Sequence, residues 1–159
     1  MAGHTENTIV VLRDYETVLD VSNRVELWPV LFTEYSKAEV LERVGDEILF
    51  RLTTHPEDGR PARTWTSRRK VDRAAGVATA ERLDPTFPFA YMKIRWVYER
   101  LPKEVGVVMT WIQDFEVHAD CPWSEERMES FLNRNTRVQM ASVKRGLESW
   151  SGKEQSHVG

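Results

Sequence analysis

The chain predicts an α+β fold in which a curved antiparallel sheet of about seven strands wraps a long C-terminal helix around an internal pocket. Three observations predict it. Hydrophobic periodicity stays near 2 from about residue 36 to 117, interrupted only by turn signals. A single helical pattern then covers residues 123–150. The faces of these elements that should be apolar also carry polar side chains, at Ser67, Arg69, Gln113, Asn135 and Gln139. Protein interiors are close-packed, so a flat sheet lying on a helix needs apolar residues at every inward position. Polar groups at several of them predict a lined cavity instead.

Taken in order, Thr8 to Leu12 reads as a first strand. Asp14 offers a helix N-cap ahead of Tyr15, Val18 and Leu19, which recur at helical spacing. Pro29 breaks the next segment, which predicts a second short, bent helix over residues 25–32. Trp28, Leu31, Phe32 and Tyr35 fall at helical spacing there and form an aromatic stripe. Strands are then expected over 38–44, 47–54, 62–72, 77–83, 91–100 and 105–117. The turn signals between them include Gly45-Asp46, Ala75-Gly76 and Asp84-Pro85. Hairpin-linked strands in succession make an antiparallel meander.

The inward faces follow from alternation. They are Ile48, Phe50 and Leu52 on one strand, and Met92, Ile94, Trp96 and Tyr98 on another. The last strand offers Val107, Met109, Trp111, Gln113, Phe115 and Val117. In the final helix Ser124 is the expected N-cap, with Glu125 and Glu126 in the first turn. Its apolar stripe is read as Met128, Phe131, Leu132, Val138, Leu147 and Trp150, with Asn135, Gln139 and Ser142 inside it. One strand, two helices, six strands and a long helix describe a helix-grip architecture.

Arg69 carries the most information. In Trp65-Thr66-Ser67-Arg68-Arg69-Lys70-Val71 the even positions form a solvent face, which puts Ser67 and Arg69 beside Trp65. A guanidinium without a partner in a packed core is too costly to be filler. Arg69 therefore either pairs with an inward carboxylate or faces a cavity. Glu81 could supply the carboxylate if the register allowed. Alternation instead puts Arg82 inward with Ala78 and Ala80, and a second cation suits anionic or enolate-like oxygens. Trp65, Trp96 and Trp111 each fall mid-strand on an apolar face, which alone would fit plain core packing. Beside the polar set they fit an amphipathic pocket.

Composition narrows the function classes. With 159 residues the chain reads as one domain, with an ordered core over about 4–150 and a flexible tail over 151–159. It is 41% apolar and 30% charged with net charge −3, the balance of an ordinary soluble protein. A pI near 5.9 argues against nucleic acid as a partner. No apolar run approaches a membrane span, and the first residues show no signal-peptide pattern. The one cysteine, Cys121, excludes an internal disulfide and fits a reducing, cytoplasmic setting. HExxH, CxxC, GxSxG and glycine-rich phosphate loops are absent from the sequence. Histidines 4, 55, 118 and 157 fall in a tail, a turn, a strand end and a tail, so no metal site is expected. The outward cations Arg68, Lys70, Arg73, Lys93 and Arg95 read as a solvated face, with docking of an acidic carrier protein as the functional alternative.

Several longer motifs then converge: Gly3-His4-Thr5-Glu6-Asn7, Trp28-Pro29 with Leu31-Phe32-Thr33-Glu34-Tyr35, Trp65-Thr66-Ser67-Arg68-Arg69, Pro88-Phe89-Ala90-Tyr91-Met92, Met109 to Phe115, and Asn133 to Arg137. From His4 to about Trp150 the chain resembles the single-domain aromatase/cyclases of bacterial type II polyketide synthases, of the tetracenomycin and spore-pigment type, within the START-like superfamily. The resemblance implies a cofactor-free enzyme acting on a poly-β-ketone tethered to acyl carrier protein. The ketosynthase and chain-length-factor complex is a further implied partner. The implied reaction is first-ring aldol closure, between the ninth and fourteenth carbons, and the dehydration that aromatises the ring.

By the same resemblance Arg69 and Tyr35 form the catalytic pair. Trp28, Phe32, Trp65, Ser67, Arg82, Met92, Trp96, Trp111 and Gln113 line the pocket, and Phe50, Phe89, Asn135 and Gln139 complete the expected substrate-binding set. Gln139 stands where the tetracenomycin-type enzyme has asparagine, and its longer amide is expected to reach further into the cavity. Lys93 also replaces a usual asparagine, on the outward face. The competing reading is a START-like carrier that binds a lipid or aromatic natural product in the same pocket without chemistry. A subunit that shapes the synthase complex without catalysis is the third.

Overall fold

Ile48, Phe50 and Leu52 occupy alternate positions of one strand and all three are buried, the signature of a sheet with one wet and one dry face. The structure, a computed structural model, describes residues 2–57 and 59–151. In chain order it contains β1 (Gly3–Val11), α1 (Tyr15–Ser22), a 3₁₀ turn (Val25–Leu27) and α2 (Trp28–Leu31). The meander β2 (Tyr35–Val44), β3 (Glu47–Thr54), β4 (Thr64–Asp72), β5 (Val77–Arg82), β6 (Phe89–Arg100) and β7 (Val107–Val117) follows, and α3 (Glu125–Glu148) ends it. The sheet order is β1-β7-β6-β5-β4-β3-β2, with every pairing antiparallel. Register shifts in β2, at Tyr35/Lys37 and Val40/Glu42, and in β6, at Phe89/Tyr91, supply the kinks a sheet needs to bend around a helix. This is the helix-grip arrangement expected from the sequence.

Local chemistry sets the ends of the helices. The Asp14 carboxylate accepts from Thr17 N at 3.0 Å and starts α1. Ser124 Oγ accepts from Arg127 N at 3.1 Å and starts α3. Along α3 the buried positions are Met128, Leu132, Thr136, Gln139, Met140, Val143 and Leu147, a spacing of three and four. The helix lies along the edge of β1, where Lys144 Nζ donates to Val10 O at 2.6 Å and Leu12 N donates to Glu148 Oε2 at 2.7 Å. The sheet edge is thereby covered. One apolar cluster sits under α1 and α2, and a smaller one joins Phe89, Met92, Phe115, Met128 and Leu132 at the other end.

Four expectations need correction. Tyr35 opens β2 and does not extend the helical stripe, because α2 stops at Leu31 and Phe32 is already extended. Val138 is 56% exposed: it lies two residues past Thr136, about 200° around the helix, on the solvent side. β1 begins at Gly3, so His4 belongs to a strand, where its Nδ1 lies 2.6 Å from Asp114 Oδ1. Trp123 precedes α3 and does not start it. The expected flexible tail falls, beyond Ser151, outside the described residues.

Candidate active site

A cavity of about 290 Å³ opens between the concave face of the sheet, α2 and α3. The structure brings every sequence-predicted site residue to its wall. Trp28 and Phe32 come from the α2 segment, Tyr35 from the start of β2, and Phe50 from β3. Trp65, Ser67 and Arg69 come from β4, and Arg82 from β5. Phe89, Met92 and Trp96 come from β6, Trp111 and Gln113 from β7, and Asn135 and Gln139 from α3.

Arg69 is 1% exposed, and among the described residues no carboxylate lies against it. Glu81 pairs in register with Arg68, one position away and on the other face. The guanidinium is held by neutral groups. Its Nε donates to Asn23 Oδ1 at 2.8 Å, and its carbon lies 4.1 Å from the Trp96 ring centroid and 5.3 Å from that of Trp28. Asn23 is the C-cap residue of α1. Its amide nitrogen donates to Leu19 O at 2.8 Å and to the Tyr98 hydroxyl at 2.9 Å. The end of a helix thus orients the arginine. Arg69 Nη2 is buried without a hydrogen-bond partner, and so is Trp111 Nε1. Two unmet donors in one cavity are a place for an acceptor oxygen. Burial draws the Arg69 pKa below its ordinary value, opposed by the Tyr98 phenol.

Tyr35 is clamped by rings. It stacks on Trp28 at 6.0 Å, lies 5.1 Å from Phe32 and meets Trp65 edge-on at 6.1 Å. Burial and then the neighbouring Glu34 carboxylate push its phenol well above the usual value. It is a proton donor at neutral pH, not an anion. Arg82 lies over Trp65 at 3.9 Å and Phe89 at 5.1 Å, and burial draws its pKa down to about 10. A second guanidinium, half-buried, thus shares the cavity wall with the buried Arg69.

The amides from β7 and α3 act as ties. Gln113 Oε1 accepts from Thr5 Oγ1 at 2.8 Å and Thr136 Oγ1 at 3.1 Å, joining β1, β7 and α3. Gln139 Oε1 accepts from Thr33 N, and its Nε2 donates to Thr33 Oγ1, both at 2.8 Å. Gln139 thus fastens α3 to the connector before Tyr35, and both ends of its amide are engaged there. Its extra length makes this bridge where a longer reach into the cavity is the sequence expectation. Trp96 and Trp111 stack in parallel at 4.0 Å, so two of the three indoles form one slab of wall while Trp65 stands apart under Arg82.

Sequence reasoning missed three groups. Asn23 sits at a helix end and Glu34 in a connector, where periodicity carries no signal. The mouth is the third: Arg60 and Arg63 from the β3–β4 loop, Phe87 and Pro88 from the β5–β6 loop, and Cys121, Pro122 and Trp123 before α3. Arg60 lies 5.8 Å from the Phe131 ring and Trp123 meets Phe131 edge-on at 5.4 Å. The outward cations, in contrast, face acids: Arg68 lies 3.2 Å from Glu47, and Lys93 stands opposite both Glu81 and Asp114. Among the described residues no group of three His, Cys, Asp or Glu side chains could hold a metal, and no helix is long and apolar enough to cross a membrane.

Comparison with known proteins accords with this architecture. Residues 13–144 match the family described as polyketide cyclase / dehydrase and lipid transport. A Streptomyces cyaneus protein provisionally named a polyketide cyclase is 42% identical over 151 residues, which span 95% of this chain and 97% of that one. Among solved structures, the Zhui aromatase/cyclase from Streptomyces sp. R1128 superposes with TM-score 0.82 at 23% identity, over 93% of this chain and 94% of that one. A START superfamily protein from Mycobacterium smegmatis superposes with TM-score 0.77 at 14% identity, over 93% and 99%. With a START-like fold, a family match across most of its length and a relative of that kinship, the chain belongs to the polyketide cyclase/dehydrase and lipid-transport family.

Proposed function

We propose that residues 1–159 form one aromatase/cyclase domain of a type II polyketide pathway. It directs the first-ring aldol closure and dehydration of a poly-β-ketone carried by acyl carrier protein, with closure between the ninth and fourteenth carbons. The observation that carries the reading is Arg69, a fully buried guanidinium on the wall of an aromatic cavity that, among the described residues, meets no carboxylate and leaves one nitrogen without a partner. A buried charge is costly without a counter-charge. An enolate or alkoxide oxygen that forms during carbon–carbon bond formation is such a counter-charge, and it forms where water is scarce and its stabilisation counts most.

The wall supplies the rest. Many carbonyls and methylenes of a polyketone can react with one another, so selection is a matter of which pair is held together. Trp28, Phe32, Phe50, Trp65, Phe89, Met92, Trp96 and Trp111 shape the chain, Ser67, Arg82, Gln113 and Asn135 offer polar contacts along it, and Gln139 holds the wall that they share. Tyr35, protonated and locked by three rings, delivers a proton to the departing hydroxyl. Aldol addition and loss of water leave the overall oxidation level unchanged, so the chemistry calls for no redox cofactor. Such an enzyme works in the cytoplasm beside the ketosynthase and chain-length factor that build its substrate. The test is reconstitution with a minimal synthase and carrier protein, with the first-ring pattern of the products as readout. A shift from spontaneous shunt products to one ring pattern is expected. Products identical with and without the protein would refute the reading in favour of a passive lipid or aromatic carrier.

A further inference from the structure

The residues placed so far leave one step without an agent. Arg69 meets the developing oxyanion and Tyr35 gives a proton to the leaving hydroxyl, yet ring closure begins by removing a proton from a methylene. Among the described residues that line the cavity, Glu34 is the single carboxylate, and no histidine lines it. The group is positioned at both ends. Its main-chain oxygen accepts from His55 N at 3.0 Å, at the end of β3. Its Oε2 accepts from Asn135 Nδ2 at 3.1 Å, and Asn135 Oδ1 in turn accepts from Gln139 Nε2 at 3.4 Å. Tyr35 is the next residue and opens β2, so the base and the proton donor sit side by side where the connector, tied to α3 through Thr33 and Gln139, enters the sheet.

We propose that Glu34 is the general base that removes the α-proton in ring closure and again in dehydration, an inference that rests on the cyclase reading above. In closure, the Glu34 carboxylate takes one α-proton, and the resulting enolate carbon bonds to the electrophilic carbonyl carbon. The carbonyl electron pair moves onto oxygen, which takes the proton back from Glu34 and becomes a hydroxyl. In dehydration, Glu34 takes the second proton from the same carbon and the carbon–carbon double bond forms. The hydroxyl then leaves with the Tyr35 proton as water, and Glu34 returns its proton to the phenolate. Both residues end as they began and one water is lost.

The surroundings suit this role. Burial raises the Glu34 pKa above the ordinary carboxylate value, opposed by Asn135 on α3, Tyr35 on β2, Arg82 on β5 and Arg63 in the β3–β4 loop. A raised carboxyl is the stronger base once ionised, and efficiency grows as its pKa nears the working pH. Because the base form is the carboxylate, the rate falls as pH drops through that raised value.

The test is a single-turnover reconstitution with minimal synthase and carrier protein, run across the acidic and neutral range on the parent, Glu34→Gln and Glu34→Asp. Glu34→Gln should keep its melting temperature and its affinity for a naphthol probe. It should lose first-ring formation by about a hundredfold or more and lose the acidic limb of the pH profile. Glu34→Asp, which keeps a carboxylate on a shorter arm, should retain part of the rate and a carboxyl-dependent limb, and it carries the test if the amide variant does not fold. A Glu34→Gln variant with the parental rate and profile overturns this proposal while leaving the cyclase reading intact. A parent that leaves the spontaneous products unchanged overturns the cyclase reading first.

Discussion

Arg68 and Arg69 are adjacent in β4 and differ in almost everything that matters. Arg68 points outward, half-exposed, with its guanidinium 3.2 Å from Glu47. Elsewhere on the surface Arg73 pairs with Glu16 and Asp20 of α1, and Arg43 with Glu26. Arg69 points inward to two indoles and an asparagine, and among the described residues no acid meets it. Outside, pairing is easy and worth about 0–1 kcal/mol, so these charges serve solubility. Inside, an uncompensated guanidinium costs several kcal/mol on the order of magnitude, and the fold keeps it without supplying a carboxylate. On the proposed reading, a charge left uncompensated at that cost serves chemistry rather than stability.

The comparison can be broken by substitution, and the largest effect should fall on Arg69. Arg69→Ala should lower first-ring formation by about a hundredfold or more, the scale of losing an oxyanion donor. Arg69→Lys should recover part of it, because an ammonium lacks the planar fork. With no carboxylate to orphan, Arg69→Ala should leave the fold standing. The Asn23 oxygen loses its donor, at about 1–3 kcal/mol, offset by relief of a buried charge. Melting curves beside product profiles check both halves, and a collapse of the fold with proportionate loss of activity would return Arg69 to the scaffold.

Asn23→Ala comes next. It removes the acceptor that aims Arg69 and a donor to Tyr98, so stability should fall by about 1–3 kcal/mol. The first-ring rate of the folded fraction should fall by about tenfold to a hundredfold through misplacement of the guanidinium. Gln139→Asn should cost about 1 kcal/mol, since the shorter amide cannot hold both Thr33 and Asn135, and should shift product ratios by loosening the connector that carries Glu34 and leads into Tyr35. An unchanged product ratio over a full time course would show that this bridge does not set register. Arg68→Ala, on the solvent face, should change stability by less than about 0.5 kcal/mol and leave the products alone.

Why Arg69 was legible and Asn23 was not is a matter of period. β3, β4, β6 and β7 alternate cleanly, so Phe50, Ser67, Arg69, Trp96 and Gln113 could be assigned to the inner face by counting. The positions of α3 that truly face inward, Met128, Leu132, Gln139 and Leu147, follow a three-and-four spacing, and Val138 failed because an exposed valine looks apolar in a sequence wherever it points. Tyr35 stands out by residue type but not by element, since Trp28, Leu31, Phe32 and Tyr35 fit a helical spacing that the chain abandons at Phe32. Asn23 and Glu34 lie where the chain changes direction. Their roles come from partners about 46 and 101 residues away, Arg69 and Asn135, and no local pattern encodes those meetings.

The most direct test of the claim that a ligand oxyanion completes Arg69 is the pH dependence of phenol binding. A naphthol titrated into the parent protein should quench tryptophan fluorescence saturably, because Trp28, Trp96 and Trp111 line the cavity. Its affinity should rise as pH passes the naphthol's own hydroxyl pKa, since the phenolate meets the unpartnered Arg69 Nη2. Arg69→Met, which fills similar volume without charge, should bind the neutral naphthol and lose affinity as the phenolate forms. The same pH dependence in both proteins would contradict the account, for it would mean that the buried guanidinium does not meet the charge it is held there to meet.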